Sequence, residues 1–246
     1  MAVTATRLVV TGMPKSGTTA VAMLLGAASG SSVASDPCYQ LDRAGIRFRD
    51  ALYAGELSLS QLIADNRDFF RAELVKDPNF PFFMDELQTA FPSARFVFVL
   101  RDPRDNIRSI LNRLELPGRP SDISGVAMPD PWRRMLEGRA PAVPGANYIE
   151  CLAHRWRLAY RNYRAAADWM HLVRYEEFDD AKEQTVVGVL EQLGLPHDRG
   201  IDHLVDQQFQ PKGDRSVSWS DFFAPESLEA IEGICGGEIE SLRTPA

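Results

Sequence analysis

A short loop with two glycines, a lysine and two threonines follows the first apolar run of the chain. The run, residues 7–11, predicts a buried strand, and the loop reads GMPKSGTT at positions 12–19, directly before a stretch of helical composition. Successive backbone N–H groups at the start of a helix can wrap an anion, and the positive end of the helix dipole strengthens the attraction. We therefore expect this loop to bind a phosphate-like group.

The loop resembles a P-loop but departs from it at the lysine. The usual pattern, G-x-x-x-x-G-K-[ST], places lysine directly after the second glycine, whereas Thr18 stands there and Lys15 lies inside the loop. Because a side-chain cation is already in the loop, a magnesium ion is no longer obviously required. A plain glycine turn with an exposed lysine is the structural alternative, and the coincidence of strand, glycines, lysine and threonines disfavours it.

Two motifs carry a resemblance to a known family. The segment PKSGTT at 14–19 is similar to the 5′-phosphosulfate loop of the sulfotransferases that use 3′-phosphoadenosine 5′-phosphosulfate (PAPS). The segment RDPRDNIRS at 101–109 resembles the family's 3′-phosphate motif, an arginine at a strand end with a serine eight residues later on the next helix. Weaker matches are VRYEE at 173–177, similar to a strand-end tyrosine–acid segment, and 210–219, similar to the C-terminal loop that closes over the 3′-phosphate.

The resemblance implies a sulfotransferase that moves a sulfuryl group from PAPS to a hydroxyl of a small-molecule acceptor, an alcohol or phenol. PAPS carries charge at two separated places, so its enzyme needs two anion sites. Arg101 offers a planar fork that suits a phosphate, and Ser109 adds a hydroxyl donor. The alternative for Arg101 is a surface ion pair with Asp102 or Asp105. The residues expected to bind PAPS are Lys15, Ser16, Gly17, Thr18, Thr19, Arg101, Ser109, Tyr175, Lys212, Arg215 and Ser216.

The sequence departs from the cytosolic branch of that family at two positions. Ala20 stands where a tryptophan commonly stacks on adenine, which leaves Trp219, Phe222 or Phe223 as candidates, each of a type more often found in a core. Pro78 stands where a histidine base, two residues after the second-strand lysine, is usual. The familiar histidine base is therefore absent.

Transfer to a hydroxyl needs a base that accepts its proton. Other branches of the family use an acid in the loop after the first helix, which favours Asp36, with Asp77 second because it follows a strand end. Both precede proline and could be ordinary turn aspartates. In the expected mechanism the backbone of 16–19 holds the 5′-phosphate, Lys15 stabilises charge on the bridging oxygen, and Lys76 helps neutralise the sulfuryl oxygens.

Strands alternating with helices must position these residues. The strands are predicted at 7–11, 73–76, 95–100 and 171–175, and the helices at 18–28, 58–70, 81–91, 102–114, 146–170, 176–193 and 226–235. Residues 30–37 and 207–224 are expected to be loops. The alternation predicts an α/β fold, a three-layer sandwich with a central parallel sheet like that of P-loop nucleotide hydrolases. Ligands of such sheets bind beyond the carboxyl ends of the strands.

We expect one sulfotransferase domain over residues 1–246, with residues 116–145 as a lid or acceptor-binding insertion. The insertion is rich in proline and glycine, and long segments of this kind are often functional. Its Met128, Trp132 and Met135 suit an apolar acceptor but are equally good as core residues.

Composition excludes several partners. A formal charge of −7 argues against a nucleic-acid partner or a polybasic membrane tether, and no apolar run approaches the about 20 residues of a membrane span. The three cysteines match neither a zinc signature nor a disulfide framework, so no metal is expected and a cytoplasmic location is predicted. The apolar residues 20–28 could pass for a signal peptide, but the strand before Lys15 disfavours that interpretation.

Two other functions stay open. A P-loop small-molecule or nucleotide kinase would need a lysine just before the hydroxyl residue of the loop, and Thr18 removes it. A non-catalytic PAPS-binding protein is favoured only by the missing histidine base. The acceptor and the oligomeric state are not specified by the sequence.

Overall fold

A parallel five-stranded sheet is the frame of the fold. The computed structural model describes residues 5–42, 47–209 and 217–243, and within these ranges the strand order is β2-β3-β1-β4-β5. The strands are β1 (Leu8–Gly12), β2 (Val33–Ser35), β3 (Leu74–Lys76), β4 (Arg95–Leu100) and β5 (Met170–Arg174). Every pairing between neighbours is parallel, which confirms the predicted α/β fold.

Helices follow or connect the strands. They are α1 (Thr18–Ser29), α2 (Pro37–Gln40), α3 (Phe48–Ala54), α4 (Leu59–Asp65), α5 (Met84–Ala90), α6 (Pro103–Arg113), α7 (Asp130–Leu136), α8 (Tyr148–Ala165), α9 (Tyr175–Asp180), α10 (Lys182–Leu193), α11 (Trp219–Phe222) and α12 (Pro225–Arg243). Short 3-10 turns occupy Phe69–Arg71 and Phe80–Phe82. In the described part of the chain, no helix is long and apolar enough to cross a bilayer.

The chain divides into two compact units. The first comprises Met1–Arg101 and Asn162–Pro211 and contains the whole sheet, and the second comprises Asp102–Arg161 and Lys212–Ala246. Residues of β1 and of the inner part of β4 are buried, as continuous apolar strands of a parallel sheet require. Helices α1 and α10 bury apolar residues in the same core, including Val21, Leu25 and Leu190.

The second unit is organised by α6, α8 and α12. Helix α6 begins as the sequence predicts, because the Asp102 side chain accepts a hydrogen bond from the Arg104 amide at 2.9 Å and Pro103 occupies the first turn. The start of residues 116–145 is tied down by Tyr148, whose hydroxyl donates to the carbonyl of Pro117 at 3.0 Å. Helix α7, which contains Trp132, forms inside this segment.

Several predicted boundaries were wrong. Residues 30–37 are not simply a loop, because they contain β2, whose three residues are too few for a periodic signal. The helix predicted over 176–193 is two helices, separated at Ala181, which has the non-helical angles φ −142° and ψ 59°. The helices predicted over 58–70 and 146–170 end early, at Asp65 and Ala165, and α2 and α3 were not predicted.

Candidate functional site

The predicted site residues of the first unit follow strand ends at one edge of the sheet. In the strand registers, Val10 of β1 and Ser35 of β2 both pair with Lys76 of β3, and Gly12 of β1 pairs with Val99 of β4. The carboxyl ends of four neighbouring strands therefore lie at similar heights. The loop that contains Lys15, together with Asp36, Lys76 and Arg101, is placed at this edge.

Both glycines of the loop occupy positions that exclude a side chain. Gly12 has φ 147°, and a Cβ atom there would lie 2.3 Å from the carbonyl oxygen of Val99. Gly17 has φ 88°, and its Cβ would lie 2.3 Å from Cδ2 of the Tyr175 ring. The close approach of a neighbouring strand and of a tyrosine ring explains why the loop needs glycine at these two points.

The loop itself is a tight turn that leads into α1. Lys15 has φ 67°, a left-handed conformation that is uncommon outside glycine, and the Ser16 amide donates to the carbonyl of Met13 at 3.1 Å. Gly17 occupies the N-cap position of α1 and offers no side-chain acceptor to the first turn. Ser16 and Thr18 are buried at the N-terminal end of α1, where the helix dipole is positive.

Arg101 connects the loop to the end of β4. Its Nη1 donates a hydrogen bond to the carbonyl oxygen of Lys15 at 2.9 Å, and its guanidinium lies 4.7 Å from the centroid of the Tyr175 ring. The same ring is the one that packs beside Gly17. The structure thus brings together Lys15, Gly17, Arg101 and Tyr175, which belong to three separate sequence motifs.

Asp36 and Lys76 form an ion pair. The Nζ atom of Lys76 donates to Oδ1 of Asp36 at 2.8 Å and to Oδ2 at 2.9 Å. The Lys76 side chain is 2% exposed, whereas that of Asp36 is 30% exposed. The sequence motifs suggested both residues but not their contact, and the role predicted for Lys76 at the sulfuryl oxygens stays a prediction.

Asp77, the second candidate base, lies in the interior. It is fully buried, and its carboxylate accepts hydrogen bonds from the amides of Cys38 at 2.9 Å and Asn79 at 2.7 Å, and from the Asn79 side chain at 2.8 Å. Burial, and next the charge of Asp36, raise the pKa of Asp77 above its ordinary value. These contacts join the start of α2 to the end of β3, which favours a structural role.

The second unit contains Ser109 and the aromatic residues suggested to stack on adenine. Ser109 is buried on α6. The guanidinium of Arg104 lies 3.7 Å from the centroid of the Trp219 ring, and Trp219 Nε1 donates to Oδ1 of Asp105 at 2.9 Å. Phe223 is buried.

The predicted nucleotide-binding residues Lys212, Arg215 and Ser216 lie outside the described residues.

Of the residues suggested to line an acceptor site, Met135 is buried and Trp132 is half-buried on α7. In the ranges that the structure describes, no group of three or more histidine, cysteine, aspartate or glutamate side chains is arranged to hold a metal ion.

The chain matches one protein family and is similar in fold to several solved structures. The model of a family described as the sulfotransferase family matches residues 7–199. A sulfotransferase from Mycobacterium avium shares 15% identity with a TM-score of 0.58, covering 97% of this chain and 77% of that one. A sulfotransferase from Mycobacterium tuberculosis shares 15% with a TM-score of 0.53, covering 94% of this chain and 76% of that one.

A mouse sulfotransferase, solved in complex with PAP, shares 12% identity with a TM-score of 0.51, covering 96% of this chain and 85% of that one. At these identities the likeness shows the fold alone. The search of curated proteins gave no match. Because the family model covers most of the chain, from residue 7 to residue 199, this protein belongs to the sulfotransferase family.

Proposed function

We propose that the protein transfers a sulfuryl group from PAPS to a hydroxyl of a small-molecule acceptor, leaving adenosine 3′,5′-bisphosphate (PAP). The observation that carries this proposal is the loop after β1, in which Lys15 stands inside the turn rather than after Gly17. A lysine there supplies a cation beside the phosphate-binding turn. The fold shared with the mouse enzyme solved with PAP is consistent with this donor.

The loop provides the 5′ side of the proposed nucleotide site. The backbone N–H groups of residues 17–19, at the positive end of α1, bind the 5′-phosphate, while the Ser16 N–H closes the turn onto the Met13 carbonyl. Lys15 stabilises the negative charge that grows on the bridging oxygen as its bond to sulfur breaks, and this charge is largest in the transition state. Removing Lys15 should therefore affect turnover more than nucleotide binding.

Arg101 provides the 3′ side of the proposal. Its guanidinium suits a phosphate, and it already fixes the Lys15 carbonyl and stacks on Tyr175, so its orientation is set before any ligand binds. Ser109, which the motif spacing predicts as a hydroxyl donor to the same phosphate, lies in the second unit, and its role stays a prediction. The predicted roles of Lys212, Arg215 and Ser216 stay predictions as well.

Asp36 is the proposed base. Of the two candidate acids, Asp36 is partly exposed, whereas Asp77 is enclosed. A carboxylate has about four acceptor positions, so the two hydrogen bonds from Lys76 leave others for a hydroxyl. As the acceptor oxygen bonds to sulfur, its proton passes to Asp36, and the electrons of the broken bond stay on the 5′-phosphate oxygen.

The variant Lys15→Ala tests the proposal. We expect it to lose most PAPS turnover while its melting temperature and its affinity for PAP stay close to those of the wild type. Lys182→Ala is a matched control, because Lys182 is a half-buried lysine of the same unit that donates to the Val205 carbonyl. Near-wild-type turnover in Lys15→Ala would overturn the mechanism.

A further inference from the structure

The ion pair at the ends of β2 and β3 exposes its carboxylate rather than its ammonium. Lys76 is 2% exposed and Asp36 is 30% exposed, with both carboxylate oxygens within 2.9 Å of the Lys76 Nζ. A buried ammonium is costly unless it is paired and hydrogen-bonded, and Asp36 supplies that pairing. A ligand approaching this edge would meet Asp36 first.

The backbone of Asp36 is shaped for this contact. Its amide donates to the carbonyl of Lys76 at 2.6 Å, and its angles of φ 54° and ψ 50° are left-handed, a conformation in which aspartate is over-represented among non-glycine residues. Asp36 is the N-cap residue of α2, yet its side chain makes no capping hydrogen bond. An aspartate at the N-cap usually accepts a hydrogen bond from an amide of the first helical turn, and Asp36 does not.

A neighbouring acid performs the capping instead. The amide of Cys38, in the first turn of α2, donates to Oδ2 of Asp77 at 2.9 Å. Asp77 thus stabilises the start of α2 by accepting this hydrogen bond, while the Asp36 side chain pairs with Lys76. The titratable groups that act on one another here are Asp36, Lys76, Asp77, Arg49 and the buried thiol of Cys38.

We infer that Lys76 is a positioning residue, whose buried ammonium holds both oxygens of Asp36 in the orientation that accepts the proton of the acceptor hydroxyl. This inference rests on the proposed function, and it replaces direct contact between Lys76 and the sulfuryl group. In this step the acceptor O–H bond breaks, the O–S bond forms, the bond from sulfur to the bridging oxygen breaks, and the proton goes to Asp36. Lys76 stays protonated throughout.

The two roles for Lys76 differ in a double-mutant cycle. If Lys76 acts through Asp36, then Lys76→Met should cost nothing further once Asp36 is already Asn. If it contacts the sulfuryl group itself, the losses should multiply, because independent interactions are additive in free energy. A purely structural role would lower activity in either background.

The experiment measures kcat and KM for PAPS in the wild type, Asp36→Asn, Lys76→Met and the double variant. The acceptor is whichever of naphthol, para-nitrophenol, cyclohexanol and N-acetylserinamide the wild type sulfates fastest. We expect Asp36→Asn to lose about a hundredfold or more in kcat, the usual scale for a general base. Lys76→Met should lose about tenfold to a hundredfold with KM for PAPS nearly unchanged, which marks an effect on the transition state.

The double variant decides the matter. We expect its kcat to lie within about threefold of that of Asp36→Asn, since coupled residues are strongly non-additive. Multiplicative losses, or a raised KM for PAPS in Lys76→Met, would overturn the inference. Titration with PAP establishes that each variant is folded, and Lys76→Arg, which keeps a cation, should recover part of the kcat that Lys76→Met loses. A wild type that turns over no PAPS with any acceptor would instead overturn the proposed function.

Discussion

The Nη1 atom of Arg101 lies 2.9 Å from the carbonyl oxygen of Lys15, a hydrogen bond that joins residues 86 positions apart in the chain. The bond fixes the turn in which Lys15 takes its left-handed conformation. Under the proposed function Arg101 has two roles, because it supports the 5′ loop through this bond and is predicted to recognise the 3′-phosphate.

The double function of Arg101 predicts a distinctive binding defect. Arg101→Ala should weaken PAP and also adenosine 5′-phosphate, which has no 3′-phosphate, because the loop loses its support. Hydrogen bonds from charged groups contribute about 1.5–3 kcal/mol, so the loss for the monophosphate should be about tenfold or more. Isothermal titration with the two nucleotides measures both affinities.

The matched control is Arg7→Ala, whose side chain is 62% exposed and paired with Glu73 at the opposite end of β1. It should leave both affinities unchanged. If Arg101→Ala weakened PAP but bound adenosine 5′-phosphate like the wild type, the arginine would serve the 3′-phosphate alone.

The close packing of Gly17 against Tyr175 predicts that Gly17→Ala lowers the free energy of unfolding for two separate reasons. Gly17→Ala forces a residue with a Cβ into φ 88° and against the Tyr175 ring at 2.3 Å. The left-handed conformation costs about 1–2 kcal/mol, and the steric overlap should add to it. Gly55→Ala isolates the first part, because Gly55 has φ 70° with no atom within 4 Å of the added Cβ.

Urea unfolding measures these free energies. We expect Gly17→Ala to be destabilised more than Gly55→Ala, and Tyr175→Ala in the Gly17→Ala background to recover the excess. Equal losses in Gly17→Ala and Gly55→Ala would show that the ring adjusts without cost.

The cysteines predict slow thiol chemistry in the native protein. Cys38, Cys151 and Cys235 are buried free thiols, and burial raises the pKa of each, that of Cys235 to about 12. Because the thiolate is the reactive form and a raised pKa lowers its fraction, a disulfide reagent at mild alkaline pH should titrate none of them rapidly. In denaturant all three should react, and a fast-reacting thiol in the native protein would contradict this arrangement.

The sequence alone specified the elements that carry strong local signals. The run at 95–100 became β4 with the same bounds, and the Asp102–Pro103 start of α6 formed as expected, since capping and β-propensity are properties of neighbouring residues. Strand β2 was not predicted, because three residues at a sheet edge give no periodic signal. The break between α9 and α10 at Ala181 was not predicted, because no glycine or proline marks it.

The candidate site was predictable as a set of residues but not as a set of contacts. Lys15 and Arg101 were identified from motif spacing, yet the bond between them depends on the parallel pairing of β1 with β4. Asp36 could not be placed beside Lys76 without β2, whose Ser35 pairs with Lys76 and so brings the next residue to the ammonium. Long-range pairing of this kind is set by the tertiary fold.

The most direct measurement of the central claim is nucleotide turnover by the wild type with two donors. Radiolabelled PAPS and ATP with magnesium are each supplied with the phenol and alcohol acceptors named above, and products are separated and counted. Our account predicts labelled sulfate ester and PAP in equal amounts from PAPS, without added metal, and no ADP from ATP. Phosphoryl transfer from ATP together with inert PAPS would contradict it.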